Sequence, residues 1–184
     1  MFNDIFYTNP TLTEVSSNVL RCKFLTPEGC LMIQETCKAI GGWTAEFGDS
    51  LYKTHDIHFE DKLPDFFQII KDHFHSEVVP LCAEYWSIPY FEITTVFAIK
   101  YSDDTQKELK LHHDDSYISG SVKLNNTYSG AELYFPRQNF SNKEEEIGDI
   151  LLWPGDITHR HGCTQLLEGE KHSLTLWTKK LEES

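Results

Sequence analysis

Apolar residues change their spacing near the middle of the chain. Before residue 90 they recur at helical intervals, first between Thr26-Pro27 and Gly41-Gly42 and again over residues 63–79. Thr26-Pro27 is typical of a helix start, and Gly41-Gly42 is typical of a helix end. Pro80 lacks the backbone N–H that a helix interior needs, so residues 81–86 are predicted as a separate segment.

From Phe91 onward apolar residues recur at every second position and many residues are β-branched, a pattern that is typical of strands. Seven strands are predicted, at 91–101, 108–116, 118–125, 131–136, 149–153, 157–163 and 171–178. Helices followed by uninterrupted strands indicate an α+β fold, mainly β, in which helices pack outside an antiparallel sandwich or barrel. Residues 1–25 are predicted to be irregular or extended. We expect one domain over 1–184, with a mainly helical support region at 1–90 and a strand core at 91–178 that carries any metal site.

Charge and composition restrict the classes of binding partner and the cellular compartment that we expect. The formal net charge is -13, which argues against nucleic acid and against anionic membrane surfaces as partners. The five cysteines are scattered and form no CxxC pair, which is typical of reduced thiols in a cytoplasmic protein. The N-terminus lacks the pattern of a signal peptide, and no apolar run approaches the ~18 residues of a membrane span. We expect a monomer by default.

The densest cluster of metal-ligand types is Leu111–Ser116, which contains His112, His113, Asp114 and Asp115. Residues i and i+2 of a strand share a face, so His112 could act with Asp114, or His113 with Asp115. A third ligand is available downstream in the segment Thr158-His159-Arg160-His161. Two histidines and one carboxylate form the facial triad of non-haem Fe(II) oxygenases, which leaves positions open for substrate and oxygen. The spacing alone does not decide whether the ligand pair is His112 with Asp114 or His113 with Asp115.

A lysine downstream adds to the metal hypothesis. Lys171 lies ten residues after His161, across a turn, and we expect its strand to pair with the strand that carries the distal histidine. A metal site that also binds a dicarboxylic acid needs such a cation for the far carboxylate. Ser173 would face the same way and could donate a hydrogen bond to that carboxylate.

Four segments resemble the catalytic domains of Fe(II)/2-oxoglutarate-dependent dioxygenases of the procollagen lysyl hydroxylase and prolyl 4-hydroxylase group. The likeness covers Trp43 to Trp177 unevenly and is weak over the helices. The segments are Thr54–His58, which ends in Asp-Ile-His; Tyr101 to Asp114, with its His-His-Asp; Leu124-Asn125 followed by Tyr128–Leu133; and Gly148 to His161 with Lys171.

The resemblance implies a double-stranded β-helix, or jelly roll, that uses Fe(II), 2-oxoglutarate and O2, with ascorbate as reductant. The implied metal ligands are His112, Asp114 and His161, and Lys171 is the implied anchor of 2-oxoglutarate. Lysyl hydroxylases carry Arg at the position of Lys171, whereas prolyl 4-hydroxylases carry Lys. The further cosubstrate candidates are Tyr101, Ser173 and Asn125.

The implied activity is hydroxylation of an amino-acid side chain, lysine or proline in a peptide, with succinate and CO2 as co-products. Candidate substrate residues are Asp115, His113, Asp56 and His58, since acidic groups near the mouth favour a cationic substrate. The alternatives are a hydroxylase of a free amino acid or small metabolite, and a non-catalytic jelly-roll binding module. A zinc-only hydrolase would not need Lys171.

Overall fold

The structure, a computed structural model, describes residues 3–45 and 52–181. Thr26 caps the first helix as predicted, because its hydroxyl accepts a hydrogen bond from the Gly29 N–H at 3.1 Å. Gly41 ends this helix at φ 61°, in the left-handed region that favours glycine. Pro80 lies in the first turn of a new helix, so the predicted break is confirmed. The α-helices of the described residues are α1 (Pro27–Ile40), α2 (Phe59–Lys62), α3 (Pro64–Glu77) and α4 (Val79–Trp86).

The strands of the described residues form two facing sheets and one short ribbon. They are β1 (Thr13–Ser16), β2 (Val19–Lys23), β3 (His55–His58), β4 (Phe91–Tyr101), β5 (Leu109–His112), β6 (Ile118–Lys123), β7 (Tyr128–Gly130), β8 (Leu133–Phe135), β9 (Phe140–Ser141), β10 (Asp149–Pro154), β11 (His161–Cys163), β12 (Leu166–Gly169) and β13 (Lys171–Lys180).

The major sheet has seven strands in the order β1-β2-β10-β6-β13-β4-β3, and the minor sheet has four in the order β5-β11-β8-β9. The ribbon pairs β12 with β7. All of these pairs are antiparallel. The predicted α+β, mainly β architecture, a double-stranded β-helix with helices outside, is confirmed.

The N-terminal part contributes strands to the major sheet, and the sequence did not predict their pairing partners. Residues 13–16 and 19–23 form a hairpin that joins the edge of the major sheet, and β3 joins the opposite edge. The first 90 residues therefore supply three strands of the major sheet as well as the four helices. Their tertiary partners, β10 and β4, lie far away in the sequence, so local patterns do not predict these pairings.

The helices pack on one face of the major sheet. Ile33 of α1 and Phe74 of α3 share one apolar core with Leu174 and Leu176 of β13. The opposite side of the sheet, which we call the inner face, points toward the minor sheet. Side chains alternate along a strand, so Lys171 and Ser173 lie on the inner face.

A second core region joins the two sheets. Phe135 of the minor sheet packs with Leu151 and Trp153 of the major sheet, and Phe97 and Tyr101 pack with Cys163 of β11. The space between the sheets is therefore partly apolar, which gives buried polar groups there a low dielectric. All five cysteines are buried and free, as expected for reduced thiols. No helix within the described ranges is long and apolar enough to cross a membrane.

Candidate metal centre

Two histidines and one aspartate converge between the sheets. His112 ends β5 and lies directly opposite His161, the first residue of β11. Nε2 of His112 is 3.4 Å from Oδ1 of Asp114, and Nε2 of His161 is 3.4 Å from Oδ2. The three ligand-type atoms all lie within 4.8 Å of one another. One cation could bind all three at once.

Asp114 reaches the two histidines because strand β5 ends before Asp114. β5 ends at His112, and the Asp114 N–H then donates to the carbonyl of Gly155 at 3.0 Å. A Cβ on Gly155 would lie 2.4 Å from the Ser116 carbonyl oxygen, so only glycine allows this close approach. The simple strand alternation expected for 112–115 is therefore wrong, since the predicted strand 108–116 ends early.

The backbone orients both histidines toward the centre. Nδ1 of His112 lies 2.7 Å from the carbonyl oxygen of Lys110, and Nδ1 of His161 lies 2.8 Å from that of His159. A carbonyl only accepts, so each Nδ1 donates its proton to the backbone, and Nε2 is the nitrogen that would give up its proton and bind a metal. His161 is held between Trp153 and Phe135, whose ring centroids lie 4.9 and 5.5 Å from its own.

The local electrostatics keep the carboxylate ionised. Burial alone would raise the pKa of Asp114, but hydrogen bonds with His112, His161 and Ser119 hold it well below its usual range. Burial would also lower the pKa of His112, yet its bonds to Asp114 and Lys110 raise it. A charged carboxylate between two imidazoles suits a divalent cation. This donor set fits Fe(II) with positions left open for other ligands.

The alternative ligand set, with His113, Asp115 or His159, does not form a cluster in the structure. His113 and Asp115 are exposed, and His159 points away from the centre, with Nε2 2.9 Å from the carbonyl oxygen of Ser17. Burial lowers the pKa of His159, which favours a neutral ring in this structural role. The structure thus brings together His112, Asp114 and His161, whereas His113 and Asp115 lie on the surface beside them.

Ser119 is a site residue that the sequence did not single out. Its hydroxyl donates to Oδ2 of Asp114 at 2.6 Å, and the side chain is fully buried. A signal was present, because Ser119, Ser121 and Lys123 form the polar face of a strand whose other residues are apolar or glycine. That pattern indicates a polar interior between the sheets.

We expect Ser119→Ala to weaken metal binding by roughly 10–100-fold while leaving the fold intact, because Asp114 loses the donor that orients it. Titration with Mn(II) or Fe(II) under nitrogen measures this affinity. Ser121→Ala, two residues along on the same face, is the matched control. Equal affinities for Ser119→Ala and wild type would contradict the role.

Lys171 is buried on the inner face. It is 4% exposed, and Nζ donates to the carbonyl oxygen of Ala131 at 2.8 Å. Nζ also lies 3.6 Å from Sγ of Cys163 and 5.0 Å above the ring of Tyr101. Burial and the neighbouring Cys163 raise the pKa of Tyr101 well above its ordinary value, so its phenol stays neutral. A buried ammonium with no carboxylate partner near it in the described chain suits a carboxylate ligand.

One expectation about Lys171 is wrong. Its strand, β13, pairs with β4 and β6 of the major sheet, whereas β11, which carries His161, pairs with β5 and β8. The lysine and the distal histidine are therefore on facing sheets. Between His161 and Lys171 the chain forms the ribbon strand β12 and crosses from the minor to the major sheet. The prediction had assumed a turn that keeps both residues in one sheet.

The remaining cosubstrate candidates divide into two groups. Ser173 is buried on the inner face two residues after Lys171, and Tyr101 lies opposite Lys171 in the strand pair. Asn125 instead bonds the backbone on either side of Lys171: Nδ2 donates to the carbonyl oxygen of Glu170 at 2.7 Å, and Oδ1 accepts from the His172 N–H at 2.8 Å. These bonds give Asn125 a positioning role at the start of β13.

Asp56 and His58 lie on the inner face of β3, at the edge of the major sheet. Asp56 is 3% exposed and accepts a hydrogen bond from the Thr54 hydroxyl at 2.7 Å. His58 stacks on Phe97 at 5.1 Å. Both candidate substrate residues therefore line the same interior as Lys171, in contrast to the exposed His113 and Asp115.

Comparison with known proteins agrees with this geometry. No protein-family model matches the sequence. The chain is 32% identical over 94 residues to the 2-oxoglutarate and iron-dependent oxygenase domain-containing protein ICU11 of Arabidopsis thaliana, covering 45% of this chain and 24% of that protein. It is also 32% identical over 79 residues to procollagen-lysine,2-oxoglutarate 5-dioxygenase 2 of Homo sapiens, covering 41% of this chain and 11% of that protein.

The resemblance to the Fe(II)/2-oxoglutarate-dependent oxygenases is confirmed. This chain spans about a quarter or less of the length of these curated relatives. In solved structures, the viral collagen prolyl hydroxylase of Paramecium Bursaria Chlorella virus-1, in a 2OG complex, matches with a TM-score of 0.63 and 14% identity, covering 90% of this chain and 97% of that one. A Pseudomonas putida prolyl-4-hydroxylase matches at 0.60 and 13%, covering 90% and 94%. These structural matches establish the shared oxygenase jelly-roll fold.

Proposed function

We propose that the protein is an Fe(II)- and 2-oxoglutarate-dependent dioxygenase that hydroxylates an amino-acid side chain. One observation carries the proposal: between the two sheets lie the His112–Asp114–His161 cluster and a buried Lys171 that has no carboxylate partner among the described residues. A binding module would need neither a metal triad nor a desolvated ammonium.

His112, Asp114 and His161 would hold the iron. When bound, Fe(II) supplies the activation of O2 that cleaves C–H bonds, and 2-oxoglutarate is converted to succinate and CO2. The protein orients the ligands through the carbonyl groups of Lys110 and His159 and the hydroxyl of Ser119. Ascorbate is the proposed reductant that keeps the metal ferrous.

Lys171 would neutralise the distal carboxylate of 2-oxoglutarate. Its ammonium is already desolvated and oriented by the Ala131 carbonyl, so little reorganisation accompanies binding. Tyr101 and Ser173 lie beside it and can donate hydrogen bonds from neutral hydroxyl groups. Asn125 acts indirectly, because it holds the backbone on either side of Lys171.

The proposed substrate is a lysyl or prolyl residue of a peptide or protein. Relatives named for procollagen lysine hydroxylation and a fold shared with prolyl hydroxylases support this class. The net charge of -13 favours a cationic or neutral partner over nucleic acid. A hydroxylase of a free amino acid or small metabolite is the second candidate.

The wild-type protein with Fe(II), ascorbate and 2-oxoglutarate is expected to form succinate slowly without substrate and faster with one. Mass spectrometry for a +16 dalton product on lysine and proline peptides and on the free amino acids identifies the substrate. Absence of succinate under all of these conditions would contradict the proposed function.

A further inference from the structure

Cys163 is a nucleophilic side chain beside the proposed 2-oxoglutarate anchor, and the proposed reaction does not use it. Its Sγ lies 3.6 Å from Nζ of Lys171, and Cys163 packs with Tyr101 in the core region between the sheets. The side chain is buried, and its thiol is free. A free thiol therefore lies next to the group that would bind the far carboxylate of 2-oxoglutarate.

Strand β11 connects this thiol to the metal centre. His161 and Cys163 are two residues apart on β11, so their side chains lie on the same face, roughly 7 Å apart along the strand. His161 lies at the metal centre, whereas Cys163 contacts Lys171. A dicarboxylate that extends from Lys171 toward the metal centre would therefore pass along Sγ of Cys163.

Lys171 gives independent evidence for a ligand at this thiol. Its ammonium is buried, donates to the uncharged carbonyl group of Ala131 and forms no ion pair with a carboxylate within residues 3–45 and 52–181. A buried charge without a counter-charge is energetically costly, so the ammonium favours an anionic ligand. Nζ also donates toward Sγ of Cys163, so an anion that binds Nζ lies beside the thiol.

The other four thiols lie in a different environment, the apolar core on the helix side of the major sheet: Cys22, Cys30, Cys37 and Cys82. Burial raises the pKa of Cys22, Cys30 and Cys37 to about 12, so these thiols stay protonated. An apolar core also excludes a charged reagent. These cysteines serve as internal controls for Cys163.

From this arrangement we infer that Cys163 is a site of covalent modification by a short α,β-unsaturated dicarboxylic acid that binds through Lys171. The inference rests on the proposed function, because the acid uses the proposed 2-oxoglutarate anchor. One carboxylate pairs with Nζ of Lys171. The adjacent alkene carbon then lies within reach of Sγ, since reacting atoms need a separation of about 3–3.5 Å.

The modification is an addition and needs no oxidant or further reactant. The sulfur of Cys163 forms a bond to one alkene carbon, the carbon–carbon π bond breaks, and the thiol proton is transferred to the other alkene carbon. The product is a thioether that keeps both carboxylates of the acid beside Lys171. Because this adduct occupies the anchor, 2-oxoglutarate can no longer bind there.

Fumarate is the probe, and succinate is the matched control because it lacks only the alkene. The purified protein is incubated with each acid, and mass spectrometry of the intact protein and of its peptides locates any adduct. We expect fumarate to add once, at Cys163, and succinate to add nothing. Prior addition of Mn(II) and 2-oxoglutarate under nitrogen should protect Cys163, because 2-oxoglutarate then occupies Lys171.

Lys171→Met should slow the addition of fumarate by roughly 30-fold or more, because the acid loses its anchor. Lys180→Met changes an exposed lysine of the same strand and should react at the wild-type rate. Dimethyl fumarate keeps the alkene without any free carboxylate, so Lys171→Met should not slow its addition. If Lys171→Met does not fold, protection of the wild type by 2-oxoglutarate tests the anchor instead.

The inference would be overturned if fumarate gave no adduct, if it modified the helix-side cysteines as fast as Cys163, or if 2-oxoglutarate gave no protection. Equal slowing of fumarate and dimethyl fumarate in Lys171→Met would also overturn it. Adduct formation requires neither iron nor turnover, so it is independent of the succinate assay. An adduct without succinate formation would contradict the proposed reaction alone, and succinate formation without an adduct would contradict the modification of Cys163 alone.

Discussion

Asp114→Ala is expected to abolish both tight metal binding and succinate formation. Asp114 is the sole carboxylate of the proposed ligand set, and both Nε2 atoms lie 3.4 Å from its oxygens. Loss of an outer hydrogen-bond partner alone weakens metal binding roughly 10–100-fold, and loss of a charged ligand should exceed that. Metal titration under nitrogen and a succinate assay provide the two measurements.

Neighbouring residues offer closely matched controls for metal binding. Asp115→Ala removes the same side chain one residue along, from an exposed position, and should leave metal affinity at the wild-type value. In the same way, His112→Ala should lose the metal and His113→Ala should keep it. The reverse outcome, with binding lost in His113→Ala and kept in His112→Ala, would show that the ligand register is wrong.

Lys171→Met is expected to separate cosubstrate binding from metal binding. Methionine fills much of the space of lysine and removes the charge, so the pocket near Ala131 and Tyr101 should keep its packing. Losing one partner of a buried charge pair costs about 2–5 kcal/mol. The KM for 2-oxoglutarate should therefore rise by roughly 30-fold or more, with metal affinity unchanged.

Lys180→Met is the control for this change, since Lys180 is an exposed lysine at the far end of the same strand, over the ring of Tyr117. It should leave the KM for 2-oxoglutarate unaltered. Equal losses of metal and 2-oxoglutarate affinity in Lys171→Met would mean that Lys171 supports the site as a whole and does not anchor the cosubstrate.

Much of the site could be predicted because its residues are chemically distinctive. Few roles other than metal binding account for His112-His113-Asp114 followed by a distant histidine and a lysine. Asn125 shows the limit of this reasoning. Its amide was a candidate cosubstrate contact, but its oxygen and nitrogen bond the backbone of residues 170–172, and only the folded loop reveals that.

The roles of Ser119 and Cys163 could not be assigned from the sequence, although the polar face of β6 was visible there. Ser119 is one of many serines, and its importance comes from a 2.6 Å bond to a residue on another segment. Cys163 appeared to be a scattered thiol, yet it contacts Lys171 at 3.6 Å. Their roles depend on which strands face each other, and the sequence does not encode that locally.

The sequence by itself determined the helix start at Thr26, the break at Pro80, the mainly β character after residue 90 and the set of residues able to bind a metal. Capping, proline geometry and period-two patterning act over a few residues, so they can be detected without tertiary contacts. Tertiary structure decided which ligands meet, that Lys171 and His161 belong to facing sheets, and that Asp56 lines the same interior. Those features arise from strand pairing and backbone approach between distant segments, such as the bond from Asp114 to Gly155.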